Sequence, residues 1–129
     1  MGEALHTRPV RVLIVDDHPL FIEALRAMLA DDERLEVVAT AKTGREALLL
    51  ARSAAVDVVL MDMSMPVLDG VAATRRLRAL DPPPCVIAVS GHTDGLSRAA
   101  ALEAGAAAFL SKDDVCQTLG DTILAIADR

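Results

Sequence analysis

Three aspartates, a serine and a lysine in this chain each stand at the end of a short apolar run. Arg11-Val12-Leu13-Ile14-Val15 ends on Asp16-Asp17, and Val58-Val59-Leu60-Met61 closes on Asp62. Cys85-Val86-Ile87-Ala88-Val89 ends on Ser90, and Ala106 to Leu110 is followed by Lys112. If the four runs are strands of one sheet, three carboxylates, a hydroxyl and an amine meet along one edge. Carboxylates that close repel one another unless a cation sits among them. Hard oxygen donors favour Mg²⁺, with Mn²⁺ an alternative. An aspartate beside such an ion can attack a phosphoryl group, while a lysine and the ion neutralise the charge on the transferred oxygens.

Each residue alone has a plainer explanation. Asp16 or Asp17 by itself reads as a helix N-cap, Ser90 as a turn residue, and Lys112 as a surface lysine. The joint occurrence at four strand ends, in this chain order, favours the functional reading.

The elements needed to position this set are legible. Five apolar runs without polar alternation, near 10–15, 35–41, 57–61, 85–89 and 106–110, suit a parallel sheet covered on both faces. The second carries Glu36 and belongs nearer an edge. Amphipathic helices separate them. Pro19 fits a first helical position, with Phe21, Leu25, Met28 and Leu29 on one face. Thr43 to Glu46 fits a capping box ahead of Ala47, Ala51 and Ala55, and Asp69 can cap a helix burying Ala73, Leu77 and Leu80. Pro82-Pro83-Pro84 stops that helix, an alanine-rich helix follows near 95–104, and Asp114 with Gln117 opens the last one. Repeated right-handed crossovers then give an α/β fold, a doubly wound five-stranded parallel sheet with five helices in flavodoxin-like topology. In such sheets ligands bind beyond the carboxyl ends of the strands, where the site residues fall.

Composition removes several function classes. The chain has 129 residues, a net charge of −6, two Phe, and no Tyr or Trp. Its core must be aliphatic, and it lacks both the basic footprint and the aromatic platforms of a nucleic-acid binder. Arg75, Arg76 and Arg78 read as the solvated face of a helix. Cys85 and Cys116 have no metal-ligand spacing and read as inert thiols in a reducing cytosol. No run is long enough to span a membrane, and His6 stands where a myristoylation signal needs Ser or Thr. A soluble, cytoplasmic chain is expected.

The pattern resembles the receiver domain of bacterial two-component response regulators over essentially the whole chain. The matching features are the acidic pair Asp16-Asp17, Asp62 after the third strand, Met65-Pro66, Asp69-Gly70, Ser90 and Lys112. Asp17-His18-Pro19-Leu20-Phe21 and Ser111-Lys112-Asp113 resemble the subfamily with a LuxR-type helix-turn-helix output domain. The resemblance implies that Asp62 accepts a phosphoryl group from a sensor histidine kinase. It also implies that Asp17, Asp62 and the Ser64 carbonyl hold Mg²⁺, with Asp16 acting through a water. Lys112 would pair with the phosphoryl oxygens, Ser90 would move toward them, and Phe109 would swing inward. Ser64 and His92 take the positions that tune hydrolysis, although His92 reads more simply as an exposed loop histidine. His6 and His18 show no partner pattern. The receiver is expected over 8–129 with residues 1–7 as an extension and no output domain in this chain. Homodimerisation on phosphorylation is expected, through a face the sequence does not choose.

Two departures stand out. Asp113 follows Lys112 where many receivers have proline after a cis bond, and Phe109 replaces a commoner tyrosine. Two other classes fit less well. A phosphatase of the haloacid dehalogenase type needs a second Asp where this chain has Ser64. A flavodoxin-like electron carrier needs flavin-facing aromatics and a Ser/Thr-Gly loop, and Asp-Asp-His-Pro stands there instead. A stand-alone receiver acting by protein contact remains the alternative to transcriptional output.

Overall fold

The computed structural model describes residues 8–64, 69–91 and 95–127, without the side chains of residues 96, 116 and 117. Met65-Pro66, His92, residues 1–7 and the Gln117 side chain therefore lie outside the described residues. Strands and helices alternate: β1 (Val10–Val15), α1 (Pro19–Ala30), β2 (Leu35–Ala41), α2 (Gly44–Ser53), β3 (Val58–Asp62), α3 (Gly70–Arg78), β4 (Cys85–Ser90), α4 (Gly95–Ala104), β5 (Ala108–Ser111) and α5 (Val115–Ala127). All five strands are parallel, in the order β2-β1-β3-β4-β5. The order reverses between β1 and β3, so the ligand crevice of a doubly wound sheet falls where Asp16, Asp17 and Asp62 emerge.

Alternate side chains of the central strands build two cores. Val12, Ile14, Leu60 and Ile87 pack against Ile22, Leu25 and Leu29 of α1 and Val115, Leu119 and Ile123 of α5. Leu13, Val15, Val59 and Met61 face the other way, against Ala47 of α2, Ala73 and Leu77 of α3, and Ala101 of α4. Met61 and Met63 are packing residues of this second core. Small alanines on three helices let their axes approach the sheet closely, whereas large aliphatics fill the space under α1 and α5.

Local signals worked with small displacements. Pro19 opens α1 behind His18, which supplies no side-chain cap, so Asp16 and Asp17 are not its caps. The Thr43 hydroxyl accepts from the Glu46 N–H at 3.1 Å, but the Glu46 carboxylate reaches back to the Lys42 N–H, one residue short of a strict capping box. Asp69 caps α3 through the Ala72 N–H at 2.8 Å. That helix ends at Arg78, before the triproline, leaving Leu80 beyond it but still packed on the core. The fifth strand starts at Ala108, not Ala106, because Gly105 turns the chain with φ +114° and the Ala106 N–H still bonds to the α4 carbonyl of Ala101. The one cis peptide bond among the described residues precedes Pro82, so the Lys112–Asp113 bond is trans. Among the described residues no helix is long and apolar enough to cross a membrane.

Gly105→Ala would force a side chain into the left-handed region and bring its Cβ to 2.8 Å from the Arg78 Cγ. Arg78 can swing aside, but the backbone strain remains. The variant should lose about 1–3 kcal/mol in urea unfolding.

Candidate functional site

The backbone sets the site before any side chain acts. Beyond the regular strands, Asp16 N–H bonds to the Ala41 carbonyl at 3.0 Å, Met63 N–H to Val89 at 3.0 Å, and Lys112 N–H to Ser90 at 2.9 Å. Asp16, Lys112 and the residue after Asp62 are thus tied to a neighbouring strand at the point where the chain leaves the sheet. Gly70 adds a further constraint. A Cβ there would lie 2.4 Å from the Asp62 carbonyl oxygen and 2.6 Å from the Met63 Cα, so only glycine lets α3 begin this close behind β3.

The side chains converge on one small volume. Asp16 and Asp62 are each about 1 % exposed, and Ser90 is buried beside them at the end of β4. Lys112 Nζ stands 3.0 Å from Asp16 Oδ2 and 3.8 Å from Asp62 Oδ2. The ammonium also lies 4.5 Å from the centroid of the Phe21 ring, whose face attracts it. Asp62 Oδ1 accepts two hydrogen bonds from Ser64, from its N–H at 3.0 Å and its hydroxyl at 2.8 Å. Those two bonds fix the carboxylate and leave Oδ2 as its open oxygen.

His18 closes the remaining side. Its backbone N–H and its Nδ1 both lie 2.8 Å from Asp16 Oδ1. Nδ1 is also 3.1 Å from Asp17 Oδ1 and 3.4 Å from Lys112 Nζ. The Asp17 contact is not aligned as a hydrogen bond, which the ring makes to Asp16 instead.

Charge and satisfaction show what the pocket lacks. Three carboxylates face one ammonium, which leaves two negative charges uncompensated. Asp62 Oδ2 and Asp17 Oδ1 are buried and make no hydrogen bond. Buried carboxylate oxygens without donors are costly, and a cation relieves that cost directly. One oxygen from each of Asp16, Asp17 and Asp62, together with a ring nitrogen of His18, lie within 4.8 Å of one another. These donors fit a divalent metal ion.

The sequence matches the model of the response regulator receiver domain over residues 12–123. The chain belongs to that family. It is 38% identical to the response regulator UvrY of Escherichia coli (strain K12) over 117 residues, which is 91% of this chain and 54% of that protein. It is 44% identical to the response regulator GacA of Pseudomonas protegens over 103 residues, covering 80% of this chain and 48% of the relative. The chain therefore spans about half the length of these curated relatives. Among solved structures, the receiver domain of the putative response regulator NarL from Mycobacterium tuberculosis superposes with a TM-score of 0.88. It has 35% identity, and the match covers 94% of this chain and 98% of that one. A LuxR-family response regulator from Aurantimonas sp. SI85-9A1 gives 0.87 at 31%, covering 94% and 86%. The receiver thus resembles the LuxR-type subfamily.

In this receiver Asp16, Asp17, Asp62, Ser64 and Lys112 meet, with Ser90 buried at the adjoining strand end. Phe109 is half-buried against the core on the α2–α4 face. Sequence reasoning missed two neighbours. His18 was given no partner and in fact touches Asp16. Phe21 was assigned only to a helix face and also carries Lys112 on its ring. The signal for both was their spacing: the N-cap and first turn of α1 follow directly on the end of β1 and so lie at the same edge.

Gly70→Ala tests the backbone constraint, since the clashing atoms are main chain and cannot rotate away. It should cost about 1–3 kcal/mol in urea unfolding and shift the amide resonances of Asp62 and Met63 in a ¹⁵N correlation spectrum.

Proposed function

We propose that this receiver is a phosphorylation switch whose acceptor is Asp62. The observation that supports it most directly is the buried Asp62 Oδ2, without a hydrogen bond and 3.8 Å from Lys112 Nζ, while Ser64 holds Oδ1. A carboxylate oxygen held in place without a hydrogen bond is a poised nucleophile. The donor is a phosphohistidine of a sensor histidine kinase. The Asp62 oxygen bonds to phosphorus, the P–N bond breaks, and the imidazole leaves with a proton. The product is an acyl phosphate on Asp62.

Mg²⁺, with Mn²⁺ as an alternative, suits the donors of Asp17, Asp62 and the Ser64 carbonyl, with Asp16 acting through water. When bound it supplies neutralisation of the phosphoryl oxygens. Lys112 shares that task from the other side, steadied by Asp16 and the Phe21 ring. The Ser90 hydroxyl then turns toward the phosphoryl group and Phe109 moves into the vacated space, altering the face formed by α4, β5 and α5. Ser64, and His92 at the corresponding place after β4, set how readily water reaches the acyl phosphate.

The match takes up only about half of UvrY and GacA, both named response regulators, and a LuxR-family response regulator shares the fold. This supports a receiver over residues 8–129, with 1–7 as a short extension, coupled in the whole protein to a DNA-binding output domain. On that reading the protein is cytoplasmic, dimerises when phosphorylated, and regulates transcription, while the receiver itself binds no nucleic acid and turns over no small metabolite. A stand-alone receiver acting by protein contact is the alternative.

Incubation with Mg²⁺ and acetyl phosphate should add one phosphate to the wild-type mass and none to Asp62→Asn. Addition to the Asn variant would place the acceptor elsewhere. Lys112→Ala should keep Mg²⁺ binding but slow phosphorylation by about 100-fold, read from the same mass spectra over time.

A further inference from the structure

The donor set at the sheet edge is not made of oxygen alone. A ring nitrogen of His18 lies within 4.8 Å of a carboxylate oxygen of each of Asp16, Asp17 and Asp62. Nδ1 is 2.8 Å from Asp16 Oδ1 and 3.1 Å from Asp17 Oδ1, and the buried Asp62 Oδ2 has no hydrogen bond. Two donors on opposite sides of one ion with bonds of about 2.1 Å stand about 4.2 Å apart, so a closure of about half an ångström lets all four share an ion. The imidazole makes that movement by giving up its 2.8 Å contact with Asp16 Oδ1. Its side chain is 63% exposed and gives no cap to α1.

We propose that His18 is a nitrogen ligand that opens this pocket to divalent transition ions such as Ni²⁺, in competition with Mg²⁺. The proposal rests on the metal-dependent reading of Asp17 and Asp62 given above. Mg²⁺ is hard and prefers carboxylates and water, so it leaves the ring hydrogen-bonded to Asp16. Ni²⁺ binds imidazole well and draws Nδ1 inward. Ligation requires Nδ1 without its hydrogen, and the ring then keeps its proton on Nε2. Lys112 already offsets Asp16, so the two remaining negative charges match one divalent ion. An ion held through His18 occupies the place the phosphoryl-transfer ion needs. The receiver then responds to the transition metals present as well as to its kinase.

The test compares Mg²⁺ and Ni²⁺ affinities by calorimetry on tag-free protein, with the wild type, His18→Ala and Asp62→Asn. His18→Ala should weaken Ni²⁺ about tenfold or more and leave Mg²⁺ within about twofold. Asp62→Asn should weaken both. In the Ni²⁺-loaded wild type, ¹H NMR should show a strongly shifted, exchangeable ring N–H resonance that vanishes in His18→Ala. Equal Ni²⁺ affinity in His18→Ala, an equal loss for both ions, or a shifted ring resonance that persists in that variant would overturn the proposal. Failure of the wild type to bind Mg²⁺ would instead sink the phosphoacceptor reading, and the Ni²⁺ comparison would still decide the role of His18.

Discussion

Crowding of like charge at a dry edge is the constraint around which this receiver is organised. Asp16 and Asp62 are almost wholly withdrawn from water and Asp17 is partly so, yet a single ammonium stands among them. Desolvated carboxylates in mutual contact work against folding unless the scaffold holds them and a cation answers them. The scaffold does its part through main-chain bonds that extend past the strands and through two aliphatic cores clamped on both faces of the sheet. The cation part is only half supplied from within, by Lys112. That shortfall of positive charge is what suits the site to a divalent cation.

Rigidity is unevenly distributed in a way that suits a switch. Every residue of β3, which carries Asp62, is buried. Every residue of the edge strand β5, which carries Phe109 and leads into Lys112, is only half-buried. Elements with less buried apolar surface open and shift at lower free energy. Displacement therefore costs less along β5 than along β3. The asymmetry of the two cores points the same way. Alanine contacts under α2, α3 and α4 forfeit less on a small displacement than the leucine and isoleucine contacts under α1 and α5.

Most of the fold was legible in the residues. The first two strands and the fourth helix fall where apolar runs and helical periodicity put them, because a strand buried on both faces needs an unbroken apolar run and few other structures tolerate one. The misplacements share a cause. The start of β5 and the end of α3 were set by termination, through Gly105 and the Leu77–Leu80 backbone bond, and termination competes locally with the apolar pattern. The convergence of Asp16, Asp17, Asp62, Ser90 and Lys112 was legible too, since parallel strands put all carboxyl ends on one side.

What the sequence determined by itself was which residues carry chemistry and which edge they share. Alternation of strand and helix leaves a parallel sheet one carboxyl edge, whatever the details of packing. What only the tertiary structure decided was the division of labour within that edge. Ser64 takes one oxygen of Asp62 and leaves the other open, His18 joins the acidic group, and Phe21 steadies Lys112. These are relations across 2.8–4.5 Å between residues as far as 94 positions apart. They depend on strand order, helix approach and side-chain rotamer together. No periodicity in the chain encodes them, because periodicity reports which way a side chain faces and not what it meets there.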